Sequence, residues 1–161
     1  MPKPNIRPIQ PEDCSRLLEL VRELAVFEKL EDILDATEQH FNDAFFGSTP
    51  SAECLVAESD DDLIGYAIFF QNFSSFLARP GVYLEDIYVQ PAHRGQGVGK
   101  HLITAVAHIA AERGAGRFEW VVLDWNERAI EFYKSLGADI LHEWRIVRLS
   151  ETQLKKLAQE S

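Results

Sequence analysis

Three glycines at alternate positions, Gly95, Gly97 and Gly99, separate the apolar run "GVYLEDIYV" (81–89) from a stretch of helical periodicity beginning at Val98. That junction limits the folds open to the chain more than any other feature. A strand that passes through a short glycine-rich turn into a helix directs the backbone N–H groups of the turn and of the first helical residues into one small volume. A helix N-terminus adds about half a positive charge there. Glycine lets the backbone approach a ligand closely and take positive φ. Such a cradle suits a pyrophosphate, and Arg94 brings a full charge to it. The alternative is an ordinary glycine-rich start to a helix. Two phosphate-binding motifs are excluded by spacing. Counted from Gly95 the last position of G-x-G-x-x-G is Lys100, and counted from Gly97 it is Leu102. The "GK" at 99–100 is followed by His101 rather than Ser or Thr, and Arg94 stands where a P-loop needs its first glycine.

The rest of the chain supplies a sheet for this unit. "NIRPI" reads as a first strand. Residues 11–29 form a helix with Leu17, Leu20, Val21, Leu24 and Phe27 on one face. Thr37 opens a second helix that Gly47 stops. "SAECLVAES" and "DLIGYAIFFQNF" are strands around an Asp-rich turn. Residues 98–113 form a helix striped by Val98, Leu102, Val106 and Ile109 and ended by Gly114. "RFEWVVLDW" is a strand, 126–136 a helix closed by Gly137, "DILHEWRIVRLS" one or two last strands, and "ETQLKKLAQ" a short helix. The order βαα, βββ, αβαβ predicts an α/β chain: an open mixed sheet with helices on both faces. At 161 residues, with 46% apolar composition and nothing resembling a linker, it reads as one domain over 1–161 with a real core.

Charge and composition narrow the function. A net charge of −10 opposes binding to a phosphate backbone, so no nucleic-acid partner is expected, and it can attract a cationic substrate. No apolar run is long enough to span a bilayer, and "MPKPNIRPIQ" lacks the apolar centre of a signal peptide, so no membrane partner and a cytoplasmic location are expected. Cys14 and Cys54 stand far apart and read as reduced buried thiols. His40, His93, His101, His108 and His142 show no metal spacing; His93 and His101 are expected to be exposed and His108 to face the polar side of its helix.

"RGQGVG" resembles the Arg/Gln-x-x-Gly-x-Gly/Ala signature of the GCN5-related N-acetyltransferases, the GNAT superfamily. With "YLEDIYV", "LDWN", "AIEFYKSLGA", "ECLVAE" and the early "IRP", nearly the whole chain resembles the diamine (spermidine/spermine) and thialysine N-acetyltransferase branch. The resemblance implies a twisted sheet of six to seven strands whose central parallel pair splays apart. It implies acetyl-CoA as acetyl donor, with its pantetheine arm between "YLEDIYV" and "RFEWVVLDW". Ile87 and Val89 would give it backbone contacts. Arg94, Gly95, Gln96, Gly97, Val98, Gly99 and Lys100 would hold its pyrophosphate, and Asn126 and Tyr133 would lie near the thioester. "YLEDIYV" with "LDWN" resembles the thialysine side, while "FSSFLARPG" departs from the polyamine enzymes, which carry a tryptophan near Phe76.

Amine acetylation needs a carboxylate able to relay a proton, donors for the oxyanion and an acid for the thiolate. Strand alternation places Glu85 and Asp86 on opposite faces. The resemblance assigns the "LED" acids to amine binding and deprotonation: Glu85 is expected as the base and Asp86 as a supporting acid or a buried ion-pair member. Glu28, Glu31 and Asp32 can line a cationic site or form a solvated face; Glu28 is the one taken as substrate-binding. Tyr133 is expected at the edge of a core stripe of Ala129, Phe132 and Leu136, and the resemblance makes it the acid. Asn126 also explains itself as a helix N-cap. The expected activity is direct attack of a primary amine on the acetyl donor in a ternary complex. An acyl-CoA sensor or a protein-lysine acetyltransferase of the same fold is the alternative. A homodimer through "HEWRIVRLS" is implied by the resemblance.

Overall fold

The computed structural model describes residues 4–160; residues 1–3, the start of the stretch read for a signal peptide, and residue 161 lie outside the description. The chain divides into two compact units, Met1–Val121 and Val122–Ser161.

The first unit carries the sheet. Its strands are β1 (Asn5–Pro8), β2 (Glu53–Ser59), β3 (Asp62–Ser74), β4 (Arg79–Val89) and β5 (Phe118–Glu119), ordered β1-β2-β3-β4-β5. The first three pairings are antiparallel and β4–β5 is parallel. Among the described residues the sheet therefore has five strands, not six or seven. Two shortfalls account for this. "RFEWVVLDW" pairs with β4 only through Phe118 and Glu119, and residues 139–149 form no strand among the described residues. The β2–β3 hairpin turns through Asp60 and Asp61, both at positive φ (50° and 60°), the backbone a two-residue hairpin loop requires.

Among the described residues this unit has three α-helices: α1 (Cys14–Glu28), α2 (Glu38–Phe46) and α3 (Val98–Glu112). The Thr37 hydroxyl caps α2 by accepting the His40 N–H. Strand alternation divides the core. Cys54, Val56, Tyr66, Ile68 and Tyr88 pack with Cys14, Leu17 and Leu20 of α1 on one face. Val98, Leu102, Ile103, Val106 and Ala110 are the buried side of α3, which packs against β1 to β4. Leu55, Ala57, Ala67, Phe69, Val82 and Leu84 are buried at the alternate strand positions. β1 is fixed by Arg7, whose guanidinium donates to both Asp13 oxygens (2.6 and 3.1 Å) and to Glu58 (3.1 Å).

The second unit holds α4 (Glu127–Ser135) and α5 (Glu151–Leu157). Gly137 at φ +87° and the Ala138 N–H on the Tyr133 carbonyl close α4. Leu141, Trp144, Ile146, Val147 and Leu149 of the intervening segment are exposed.

Candidate active site

The donor cradle is present in the first unit. The chain leaves β4 through a short 3-10 turn (Pro91–His93) and enters α3 with Gly95 at φ +78° and Gly97 at φ +82°. Gly97 occupies the N-cap position of α3 with no side-chain cap. Among the described residues no acceptor takes the N–H groups of Gly95, Gln96, Gly97, Val98, Gly99 or Lys100. A methyl group built on Gly95 would meet no atom within 4 Å, and one on Gly97 would meet only the His101 ring, at 3.7 Å. The space beside Gly95 and Gly97 is thus open, and it lies at the positive end of a fifteen-residue helix whose first N–H groups have no intrahelical acceptor. Those are the requirements of a pyrophosphate, so the residues present fit the phosphate end of acetyl-CoA.

Arg94 acts differently from its neighbours. Its N–H donates to the Pro91 carbonyl, so the row of open donors starts at Gly95. Its Nε donates to the Val89 carbonyl at 2.8 Å, and its guanidinium lies 5.4 Å from the ring centres of both Phe27 and Tyr88. Tyr88 in turn donates to Glu23, which also accepts from Gln90. Burial and Glu23 push the Tyr88 phenol up to about 12. This cluster ties the loop to α1. Neither Glu23 nor Tyr88 carries a sequence signal beyond lying on an α1 turn and a strand position that face each other.

β4 leaves one edge open beside the cradle. β5 pairs only with Val82 and Tyr83, and the Val82 N–H donates to Arg117. Further along, the Gln90 N–H donates across to Ile64 on β3, which turns the Val89 carbonyl, and with it the Val89 N–H, to the opposite edge. Ile87 shares that edge by alternation. The parallel pair therefore parts after two residue pairs, as the splayed arrangement requires.

The strand register separates the two acids. Ile68 pairs with Asp86 and Phe69 with Leu84, so Glu85 has no partner and forms a bulge. Asp86, not Glu85, shares the α1 face with Ile68, Tyr66 and Tyr88. Glu85 is exposed and Asp86 half-buried. No ion pair reaches Asp86 among the described residues; the charges acting on it are those of Glu85 and Glu28, both negative. Burial first, then those two carboxylates, raise Asp86 to about 6. Burial alone raises Glu28 at the end of α1. Asp86 and Glu28 act on each other electrostatically, and both act on a residue that sequence reasoning missed. Tyr66 is fully buried, its hydroxyl has no hydrogen-bond partner, and burial followed by Asp86, Cys54 and Glu28 raises its phenol well above the usual range. The signal was its place two residues before Ile68 on the same strand face.

In the second unit the Asn126 side chain accepts the Ala129 N–H and caps α4. Tyr133 is the buried side chain of that helix rather than an edge residue, with the Phe132 ring 5.4 Å away. His93 and His101 are half-buried rather than exposed, and the Nδ1 of His101 is buried without a partner. His108 is exposed, as expected. Among the described residues no group of His, Cys, Asp and Glu is arranged to hold a metal ion, and no helix is long and apolar enough to cross a membrane.

Residues 17–138 match the Acetyltransferase (GNAT) family. The chain belongs to this family. It is 39% identical to the thialysine N-epsilon-acetyltransferase of Bos taurus over 95% of this chain and 96% of that one. It is 33% identical to an L-ornithine N5-acetyltransferase of Arabidopsis thaliana over 94% of this chain and 86% of the relative. An integron cassette protein of V. cholerae superposes with a TM-score of 0.82 at 26% identity, covering 99% of this chain and all of that one. Together these place the chain in the diamine and thialysine branch as an amine N-acetyltransferase, and enzymes of this family use acetyl-CoA as the acetyl donor.

Proposed function

We propose that this enzyme acetylates the primary amine of a small, lysine-like cationic substrate, with thialysine the leading candidate and polyamines the second. The observation that carries the reading is that one strand–loop–helix unit bears both the N–H row from Gly95 to Lys100 and the half-buried Asp86, on which the carboxylates of Glu85 and of Glu28 from α1 act. An anionic donor and a cationic acceptor each find the opposite charge there. Relatives named for thialysine and ornithine, both cationic amines, support the reading.

In this reading Gly95, Gln96, Gly97, Val98, Gly99 and Lys100 hold the pyrophosphate, Arg94 braces the loop, and the open edge at Ile87 and Val89 receives the pantetheine amides. Glu85, Asp86 and Glu28 hold the ammonium, and a carboxylate of the Glu85–Asp86 pair takes its proton. The freed nitrogen lone pair attacks the acetyl carbon, the carbon–sulfur bond breaks, and the thiolate takes a proton from Tyr133, with Asn126 nearby. The roles of Tyr133 and Asn126 rest on the resemblance. The same reading makes the chain one catalytic domain, located in the cytoplasm and paired as a homodimer through residues 141–149, whose exposed apolar side chains support the pairing.

The test is release of free thiol from acetyl-CoA with thialysine, lysine, ornithine and spermidine. Turnover with thialysine well above the other amines is expected. Thiol release with none of them, by a protein that still binds acetyl-CoA, would leave an acyl-CoA sensor instead.

A further inference from the structure

One carboxylate of α1 reaches the root of the glycine loop. Glu23 is half-buried, and both of its oxygens are engaged at the end of β4. The Tyr88 hydroxyl donates to one at 2.9 Å, and the Gln90 amide donates to the other at 3.0 Å. Alternate residues of a strand share a face, so Tyr88 and Gln90 both point to α1 and Glu23 straddles them. Val89 between them is held as well: its carbonyl accepts Arg94 Nε at 2.8 Å. The Arg94 guanidinium lies 5.4 Å from the ring centres of Tyr88 and Phe27. Phe27 stands four residues after Glu23, on the same side of α1. One side of α1 therefore grips both the strand end and the first residue of the loop.

The sheet does not require this grip. The β3–β4 ladder runs to Val89, and the Gln90 N–H extends it onto the Ile64 carbonyl at 2.9 Å. The path from Gln90 to Gly95 is what the ladder leaves unspecified. That path is held by local turn bonds, from the His93 N–H to Gln90 and from the Arg94 N–H to Pro91, and it runs into two glycines at positive φ. Glycine gives such a segment wide conformational freedom, and freedom surrendered on binding weakens affinity. A contact that fixes the root of the loop beforehand strengthens binding by the same reasoning. Glu23 is also turned away from the ammonium role given to Glu28, because its oxygens accept from the donor-side strand.

We infer, on the basis of the acetyl-CoA site read above, that Glu23 is a positioning residue for the donor. Acting through Tyr88, Gln90 and Arg94, it fixes the end of β4 and the root of the glycine loop, so that the backbone donors of the cradle are aligned before acetyl-CoA arrives. Tyr88 is a dependable link in this chain, since burial and Glu23 push its phenol up to about 12 and it remains a hydrogen-bond donor at neutral pH. Glu23 touches neither substrate in this account. Its removal therefore weakens donor binding and leaves the chemical step alone, the pattern of a raised KM with kcat unchanged.

The experiment measures acetyl-CoA binding by calorimetry without amine, thermal melts, and separate KM values for acetyl-CoA and thialysine, or spermidine if thialysine is not turned over. Glu23→Ala should weaken acetyl-CoA binding roughly tenfold and raise its KM in step, with kcat and the amine KM within about twofold of wild type. Glu23→Gln should recover the affinity to within about threefold, because its amide oxygen accepts from Tyr88 while the Gln90 amide turns its own oxygen to the new N–H group. Tyr88→Phe keeps the ring beside Arg94 and should cost about threefold, and adding it to Glu23→Ala should cost nothing more, since both break one network. Glu53→Ala is the control. It breaks the paired bonds to Arg113 (2.6 and 2.7 Å) at the opposite end of α3, and should lower Tm without changing donor affinity. A folded Glu23→Ala variant with wild-type acetyl-CoA affinity would overturn the inference. So would a loss confined to kcat or the amine KM, an affinity that Glu23→Gln fails to recover, or an equal loss in Glu53→Ala. If Glu23→Ala does not fold, unchanged affinity in Tyr88→Phe overturns it. A wild-type protein that binds no acetyl-CoA would instead sink the reading of the cradle on which the inference rests.

Discussion

Gly97 offers a perturbation whose two effects can be separated. It sits at φ +82° in the N-cap position of α3, and a new Cβ would meet nothing nearer than His101 at 3.7 Å, an ordinary contact. A side chain there costs the fold little beyond backbone strain, about 1–2 kcal/mol for an L-residue in the left-handed region. In a chain of this size that is roughly a 2–8 °C drop in Tm. The effect on acetyl-CoA should be larger. The side chain would fill the open volume over the donors and rob the pyrophosphate of two or more charge-assisted N–H bonds, each contributing about 1.5–3 kcal/mol. The affinity should therefore fall by roughly 10² to 10⁴-fold in Gly97→Val. Gly97→Asn, which tolerates this φ, should recover most of the Tm and little of the affinity. Calorimetry and thermal melts on both variants test the account. A folded Gly97→Val variant that binds acetyl-CoA with wild-type affinity would refute the cradle, whatever its melting temperature.

Asp86→Asn should stabilise the protein. The folded-state pKa of about 6 lies above the unfolded value, so ionised Asp86 costs stability that sets in as pH rises from about 4 and is complete above about 6. The variant should gain about 1–3 kcal/mol at pH 7.5 and nothing at pH 3.5, read by urea melts at both. Arg7→Ala should have the opposite sign. It strands the largely buried Asp13, whose carboxyl the Arg7 bonds hold below its usual range, and should cost about 2–3 kcal/mol at pH 7. That loss should shrink as pH falls through the lowered Asp13 value, and an equal loss at pH 7 and pH 2 would count against it. Tyr133→Phe should lower turnover by roughly 10²-fold with acetyl-CoA affinity unchanged, whereas full activity would leave water as the acid. Light scattering at micromolar concentration should give the mass of a dimer, and a monomer would leave the exposed side chains of residues 141–149 without the proposed partner.

What the sequence made legible was local. Residues 98–113 declared themselves through a 3.6-residue apolar stripe and a closing glycine, and α3 runs Val98–Glu112 with Gly114 at φ +69°. Thr37 and Asn126 were readable as caps because each places an oxygen three residues before the N–H it accepts. The strands that failed are those whose existence depends on a neighbour. "RFEWVVLDW" has strand composition throughout, yet only Phe118 and Glu119 find a partner before the parallel pair parts. "DILHEWRIVRLS" is as rich in β-formers and forms no strand among the described residues. Composition reports that a segment can pair, and a second strand edge decides whether it does.

The acidic pair shows the same limit at the scale of two residues. Alternation along "YLEDIYV" predicts opposite faces for neighbours, and from the sequence alone either acid can point to α1. The choice is made by β3, whose Ile68 and Phe69 take Asp86 and Leu84 and leave Glu85 over. One extra residue shifts the parity of the strand, so that Leu84 faces away from α1 and Asp86 faces toward it. The same shift turns Ile87 and Val89 to the edge that β5 has left. A single bulge thus sets both the orientation of the acid and the exposure of the backbone donors beside the cradle. The shift leaves a half-buried carboxylate beside two like charges, with no ion pair among the described residues and with an unpartnered Tyr66 hydroxyl on the same face, an arrangement that folding alone disfavours. A chain selected only for stability would place an amide or an apolar side chain at position 86, and the amine-binding role proposed for Asp86 accounts for the cost it bears instead.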